Sequence, residues 1–235
     1  MRFPLRFATC LLALYAAPLY AAPPTHIHAR YDVSDSGLKV AVIDETFSRS
    51  GDRYHIESVT RPFGLFALLK HETIRVTSDG IVTARGLQPQ VFDYRREHDT
   101  GKNAHADFDW QGAKITLTDR DGTRSLPLPA GTQDRLSAMY QFMFLPLQDA
   151  TQLEFEMTNG SKVDNYRYRI SRDRKVTVPL GSFHALYLVS PKENTPRRTE
   201  IWLATARGNF PCRMDITETN GNKYTQALTL FDSAP

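Results

Sequence analysis

Few of the residues that could do chemistry stand in an arrangement that would let them do it. His26 and His28 would project to one face of an extended strand, where together with a nearby amine they could hold copper or zinc. Two solvated histidines near a chain end fit the same spacing more simply. His71-Glu72 is half of a zinc-helix motif, but the second histidine is missing and the flanking residues read as strand. No G-x-S-x-G, H-E-x-x-H, C-x-x-C or G-x-x-x-x-G-K occurs, so no signature marks hydrolase, metalloprotease, dithiol or phosphate-loop chemistry. No catalytic residue, metal or other cofactor is expected.

Cys212 could be a nucleophile only beside a base in an electropositive setting, of which Arg213 supplies a part. Strand alternation puts Cys212, Met214 and Ile216 on one face and Arg213, Asp215 and Thr217 on the other, which reads as a small core residue. The run YRYRISRDRK, 166–175, has the aromatic and basic alternation of strands that stack bases. The simpler reading turns Tyr166, Tyr168 and Ile170 inward and Arg167 and Arg169 outward, with an anionic envelope partner such as lipid headgroups as the other use.

The compartment narrows these choices. Arg2 and Arg6 precede the apolar run CLLALYAA, and small residues follow at Ala21 and Ala22, the layout of a cleavable secretory signal over residues 1–22. The run is broken by Pro18 and falls short of the roughly 20 apolar residues that cross a bilayer. The expected location is therefore the periplasm, with no transmembrane segment after signal removal. Without Arg2 and Arg6 the 29 basic residues fall to 27 against 26 acidic ones, a formal charge of +1. So near a balance argues against nucleic acid as a partner. Cys10 leaves with the signal, Cys212 has no disulfide partner, and residues 23–235 form a single β-rich domain held by an ordinary core.

The mature chain alternates apolar and polar residues in short runs: 38–44, 53–59, 72–78, 104–110, 113–119, 152–157, 166–170, 174–180 and 183–190. Hairpin dipeptides fall at Ser36-Gly37, Asp79-Gly80, Gln111-Gly112, Asp121-Gly122, Asn159-Gly160 and Asn220-Gly221. This predicts an all-β fold, an antiparallel curved sheet or incomplete barrel with one or two short helices. PLPAG, 127–131, is a candidate boundary between two halves, or a plain loop.

Two apolar segments break the alternation. PFGLFALLK, 62–70, is too short for a free helix and too apolar for a solvated loop, so it is a buried crossover or a lid. In DRLSAMYQFMFLPL, 134–147, Leu136, Met139, Tyr140 and Met143 recur at helical spacing before Pro146, predicting a short helix packed on or plugging the sheet.

The segment VPLGSFHALYLVSPKENTPRRTEIWLATARGNFPCRMDITETNG, 178–221, resembles the exported Gram-negative family called domain of unknown function 3108. The resemblance rests on Pro179-Leu180-Gly181, on Arg198 to Leu203 around Trp202, and on Phe210-Pro211-Cys212-Arg213 with Gly221. LSAMYQFMFLPL is similar to the family's central segment and YDVSDSGLKVAVIDETF to its opening hairpin; Phe210-Pro211-Cys212 departs from the more usual Leu-Pro-Val. The family implies no activity. A looser resemblance, to LolA/LolB-type periplasmic lipoprotein carriers, implies a half-open barrel with an apolar interior closed by short helices.

The expected function is non-catalytic binding or carriage of an apolar envelope molecule, such as a lipid or a lipoprotein acyl chain. The alternative is a scaffold or assembly factor for an envelope protein complex, with an envelope protein as its partner. The candidate cavity or lid residues are Phe63, Leu65, Phe66, Leu68 and Leu69 from the first apolar segment, Leu136, Met139, Tyr140 and Met143 from the second, and Trp202 as an aromatic wall. All of these would equally serve as ordinary core.

Overall fold

The structure is a computed structural model describing residues 24–69, 72–191 and 197–234; the export segment and the His71 half-motif lie outside it. Among the described residues fifteen strands join one sheet in the order β8-β7-β6-β5-β4-β3-β2-β1-β15-β14-β13-β12-β11-β10-β9. All neighbouring pairs are antiparallel except β9 with β10, which is parallel. The first half is an up-and-down meander: β1 (His26–Asp35), β2 (Leu38–Ser50), β3 (Arg53–Pro62), β4 (Ile74–Thr83), β5 (Gly86–Arg96), β6 (Ala104–Asp109), β7 (Lys114–Asp119) and β8 (Gly122–Pro127). The second half is β10 (Gln152–Thr158), β11 (Val163–Val178), β12 (Gly181–Val189), β13 (Arg198–Ala204), β14 (Phe210–Thr217) and β15 (Lys223–Ala234). Pairing of β1 with β15, the first strand with the last, welds the halves together.

The segment 127–131 carries the chain from one sheet edge, β8, to the other, where β9 (Gln133–Asp134) runs parallel to β10. It is a loop between edges of one sheet rather than a divide in it. The sheet curls until those edges meet through side chains and turns. Arg124 of β8 donates to the Ser161 carbonyl in the β10–β11 turn, and Gln133 Nε2 donates to the Leu87 carbonyl at 2.9 Å. In that turn Gly160 has φ +88, and a Cβ there would lie 2.8 Å from the Ala104 methyl, so only glycine allows the approach. Among the described residues the sheet is not closed by strand pairing, in keeping with the expected curved sheet or incomplete barrel.

Alternation put the core where the sequence placed it. Ile27, Ala29 and Tyr31 of β1 are buried, and Tyr168 and Ile170 are buried while Arg167 and Arg169 stay exposed. Two corrections follow from the backbone. Asp79-Gly80 is a bulge inside β4 and not a turn: the register with β5 shifts there, and a Cβ on Gly80 would lie 2.3 Å from the Gln88 carbonyl oxygen and 2.8 Å from the Tyr54 ring. The runs 166–170 and 174–180 belong largely to one strand, β11, bent by a register shift between Ser171 and Arg174 with Asp173 at φ 56.

The two apolar segments became two single-turn helices, α1 (Leu65–Leu69) and α2 (Ser137–Gln141), the latter continued by a 3₁₀ turn, Phe142–Phe144. α2 fills the curl of the sheet. The Tyr140 ring stacks on Phe47 at 5.4 Å and meets Phe210 edge-on at 5.6 Å, while Phe142 joins a second buried cluster with Tyr168, Leu188 and Ile201.

Candidate functional site

Among the described residues, the large apolar side chains left exposed are Leu38, Phe63, Leu65, Phe66, Leu68 and Tyr224. They sit at one end of the sheet. Leu38 opens β2 opposite Asp35, Asp35 pairs in turn with Tyr224, and Ala41 pairs with Pro62, immediately before Phe63 and α1. The Phe63 amide donates to the Val40 carbonyl at 2.9 Å, fixing the exit of β3. Gly64 at φ +60 turns the chain, and the Ala67 amide donates to its carbonyl at 3.1 Å to close the helical turn. Leu65 and Leu68 are 75% and 71% exposed, the most open large apolar residues of the set. Lys39 Nζ stands over the Phe63 ring at 4.1 Å from its centroid and pairs with Asp32 at 2.6 Å.

The candidate residues of the second segment are elsewhere. Leu136 and Tyr140 are buried, and Met139 and Met143 pack partly buried against the same core. The expected lid and the expected stripe are thus separate features: α1 stands at the sheet end and α2 lies within. Trp202 is half-buried, its ring 5.0 Å from Tyr187 and under the Arg213 guanidinium at 5.3 Å. The Leu69 side chain lies outside the described residues. A groove of about 250 Å³ opens beside α2, lined in part by Phe142, Leu145, Leu153 and Phe155. That is below the roughly 300–1,000 Å³ of ordinary small-molecule sites.

What holds α2 inside is a polar network that hydrophobic patterning did not reveal. Asp134, fully buried, accepts from the amides of Leu136 and Ser137, both at 2.8 Å, and from Ser78 Oγ at 2.6 Å. These bonds satisfy orphan amides at the helix start, as a cap does. Ser78 also meets the Tyr54 hydroxyl at 3.2 Å. Glu45 accepts from Ser58 Oγ at 3.0 Å and from the Tyr140 hydroxyl at 3.4 Å. Burial pushes the Glu45 carboxyl up to about 7, against the lowering effect of the Ser58 and Tyr140 hydrogen bonds and of the Arg135 charge. Burial likewise raises Asp134, opposed by its Ser78 and backbone hydrogen bonds. One signal was available: Glu45 occupies an inward position of β2, between Ile43 and Phe47.

Cys212 is fully buried, its thiol donates to the Trp202 carbonyl at 3.3 Å, and burial pushes it up to about 11. A thiol so protonated is a core group and a poor nucleophile. His26 and His28 share the outer face of β1, and His28 lies 3.7 Å from Asp44. Among the described residues no three or more His, Cys, Asp or Glu converge as metal ligands would.

A family model described as a protein of unknown function, DUF3108, matches residues 30–229. The chain belongs to this family. The match spans β1 through most of β15, including both short helices, so the DUF3108 unit is the whole sheet and not one of its halves. No curated protein matches the sequence. No helix among the described residues is long and apolar enough to cross a membrane.

Proposed function

We propose that the protein is an exported, periplasmic, non-catalytic binding protein that engages an apolar envelope molecule, a lipid or a lipoprotein acyl chain, at the α1 end of its sheet. One observation carries this reading: the exposed large apolar side chains of the described residues gather at that end, and two of them, Leu65 and Leu68, are more than two-thirds exposed. Scattered apolar residues are normal on a soluble surface, whereas a contiguous set marks a contact site. The filled interior moves the contact outward, from a cavity within the curl to its rim.

That same filled interior favours a second reading, in which the apolar end docks a protein of an envelope complex. Native mass spectrometry of gently purified protein separates the two. The lipid reading expects a mass increment that organic extraction removes. A bare chain whose Leu65 and Leu68 variants instead lose crosslinks to an envelope protein would replace carriage with scaffolding.

A further inference from the structure

The groove beside α2 runs along a strand edge that the sheet leaves unpaired. Just before β10 the Thr151 carbonyl accepts from the Ile170 amide at 2.9 Å, and just after it the Asn159 amide donates to the Lys162 carbonyl at 3.4 Å. In an antiparallel ladder alternate residues exchange bonds with a given neighbour, so the odd-numbered residues of β10 bond to β11. The even-numbered ones, Gln152, Glu154, Glu156 and Thr158, turn their N–H and C=O groups the other way. On that side the Thr158 carbonyl accepts from the Arg135 amide at 3.0 Å, and β9 pairs with Met157 and Thr158 alone. Among the described residues no strand lies beside Gln152 or Glu154. These two residues present a short row of backbone donors and acceptors, the feature by which an edge strand takes up another chain.

The groove lies against this row. Leu153, Glu154 and Phe155 line it from β10, Phe142 and Leu145 from the turn that follows α2, and Gln133 from β9. Leu153 and Phe155 pack on the inner face, against the cluster that holds Phe142, whereas the Glu154 carboxylate pairs with Arg167 of β11 at 2.9 Å. Gln133 is 3% exposed. Its Nε2 donates to the Leu87 carbonyl, but its Oε1 is buried without a hydrogen-bond partner. A buried acceptor in that state is costly and gains from any N–H brought to it. At about 250 Å³ the space suits inserted side chains rather than a whole lipid, since ordinary small-molecule sites begin at roughly 300 Å³.

We propose that β10 is a docking edge for an extended peptide segment of another protein, which adds a strand in the row that β9 leaves vacant beside Gln152 and Glu154. Directly opposed residues of paired strands share a face. The peptide residues set against Leu153 and Phe155 therefore point into the groove, and the one between them, against Glu154, points to solvent. The segment recognised reads apolar, any residue, apolar. An acyl chain has no row of N–H and C=O groups and would leave both the β10 backbone and Gln133 Oε1 unmatched. This site is separate from the α1 end and does not rest on the function proposed for it.

Fluorescence anisotropy tests it with the purified protein and a labelled peptide, Ser-Val-Thr-Val-Thr-Ser, beside the same peptide N-methylated along its backbone. The wild type is expected to bind the first saturably and the second at least about tenfold more weakly, because methylation removes the N–H groups of the added strand. Binding should also slow hydrogen exchange at the Glu154 amide, read by NMR. Glu154→Pro deletes an outward N–H without touching the β11 ladder, a change that edge strands accept, and should weaken binding by a similar factor. Glu154→Gln, which removes only the ion pair with Arg167, should bind as wild type does. Leu65→Asp with Leu68→Asp should also leave peptide binding unchanged; its loss there would move the site to the α1 end and overturn the proposal. No saturable binding by the wild type overturns it, as does equal binding of the N-methylated peptide, since the groove would then take apolar groups without reading a backbone. A wild-type dimer that Glu154→Pro dissociates gives the edge to a second copy of the chain and overturns it as well. Should Glu154→Pro fail to fold, the two peptides compared on the wild type decide.

Discussion

The two short helices make an instructive pair. α1 reads LFALL and is the more apolar, yet its Leu65, Phe66 and Leu68 are exposed; α2 reads SAMYQ, with three polar side chains in five, yet Ser137, Ala138 and Tyr140 are buried. Apolar character alone therefore does not decide which segment is inside. Topology does part of the work: α1 bridges β3 and β4 at the end of the sheet, whereas α2 follows the crossing between sheet edges and falls within the curl. Polar satisfaction does the rest. Tyr140 reaches Glu45, Ser137 is tied to Asp134, and the Gln141 side chain takes the Leu87 amide at 2.7 Å and gives to the Arg85 carbonyl at 2.9 Å. Buried polar groups so paired cost little and fix one geometry. An exposed turn of leucines has no such reason to be where it is, which is why function is sought there.

The difference can be broken at its strongest point. Tyr140→Ala removes a ring packed between Phe47 and Phe210 and strips Glu45 of a partner, so denaturant unfolding should show a loss of about 3–5 kcal/mol. A loss below about 1 kcal/mol would mean α2 is not the plug described.

Next in size is a pH effect. Glu45 is raised from 4.5 to about 7 in the folded protein, so the folded state holds this proton more tightly than the unfolded chain. Its contribution to stability is complete below pH 4.5 and is lost as pH rises through about 7. The loss is on the order of 3 kcal/mol. Glu45→Gln should flatten this part of the pH–stability profile, and parallel profiles for the two proteins would show that Glu45 titrates normally. Asp134→Ala leaves the Leu136 and Ser137 amides without their acceptor and should cost about 2 kcal/mol. Cys212→Ser, placing a hydroxyl in the thiol's buried site, should cost about 1–3 kcal/mol by thermal unfolding, with function retained.

Much of this architecture was legible because strand alternation and Asn-Gly or Asp-Gly turns are local signals. They predicted the curved antiparallel sheet and turned Tyr168 and Ile170 inward correctly. Local signals failed where a distant backbone was decisive. Asp79-Gly80 has the chemistry of a turn, but its glycine answers to Gln88 and Tyr54 across the sheet. The burial of Glu45 depends on Ser58, 13 residues away, and on Tyr140, 95 residues away; composition gives no hint of that pairing. Of the candidate site, the two apolar segments were visible as anomalies. Their opposite fates were not, because burial of α2 is settled by polar partners on β2, β4 and β5.

The smallest stability effect carries the largest functional one. Leu65→Asp with Leu68→Asp places charges on side chains already 75% and 71% exposed, so stability should stay within about 0.5 kcal/mol of wild type. Titrating both proteins with a fluorescent fatty-acyl probe then tests the central claim, that the α1 end is the apolar-contact surface. The account predicts that wild type takes up the probe and that the folded double variant binds it at least about tenfold more weakly. Equal uptake by the two proteins, or no uptake by wild type, would contradict it.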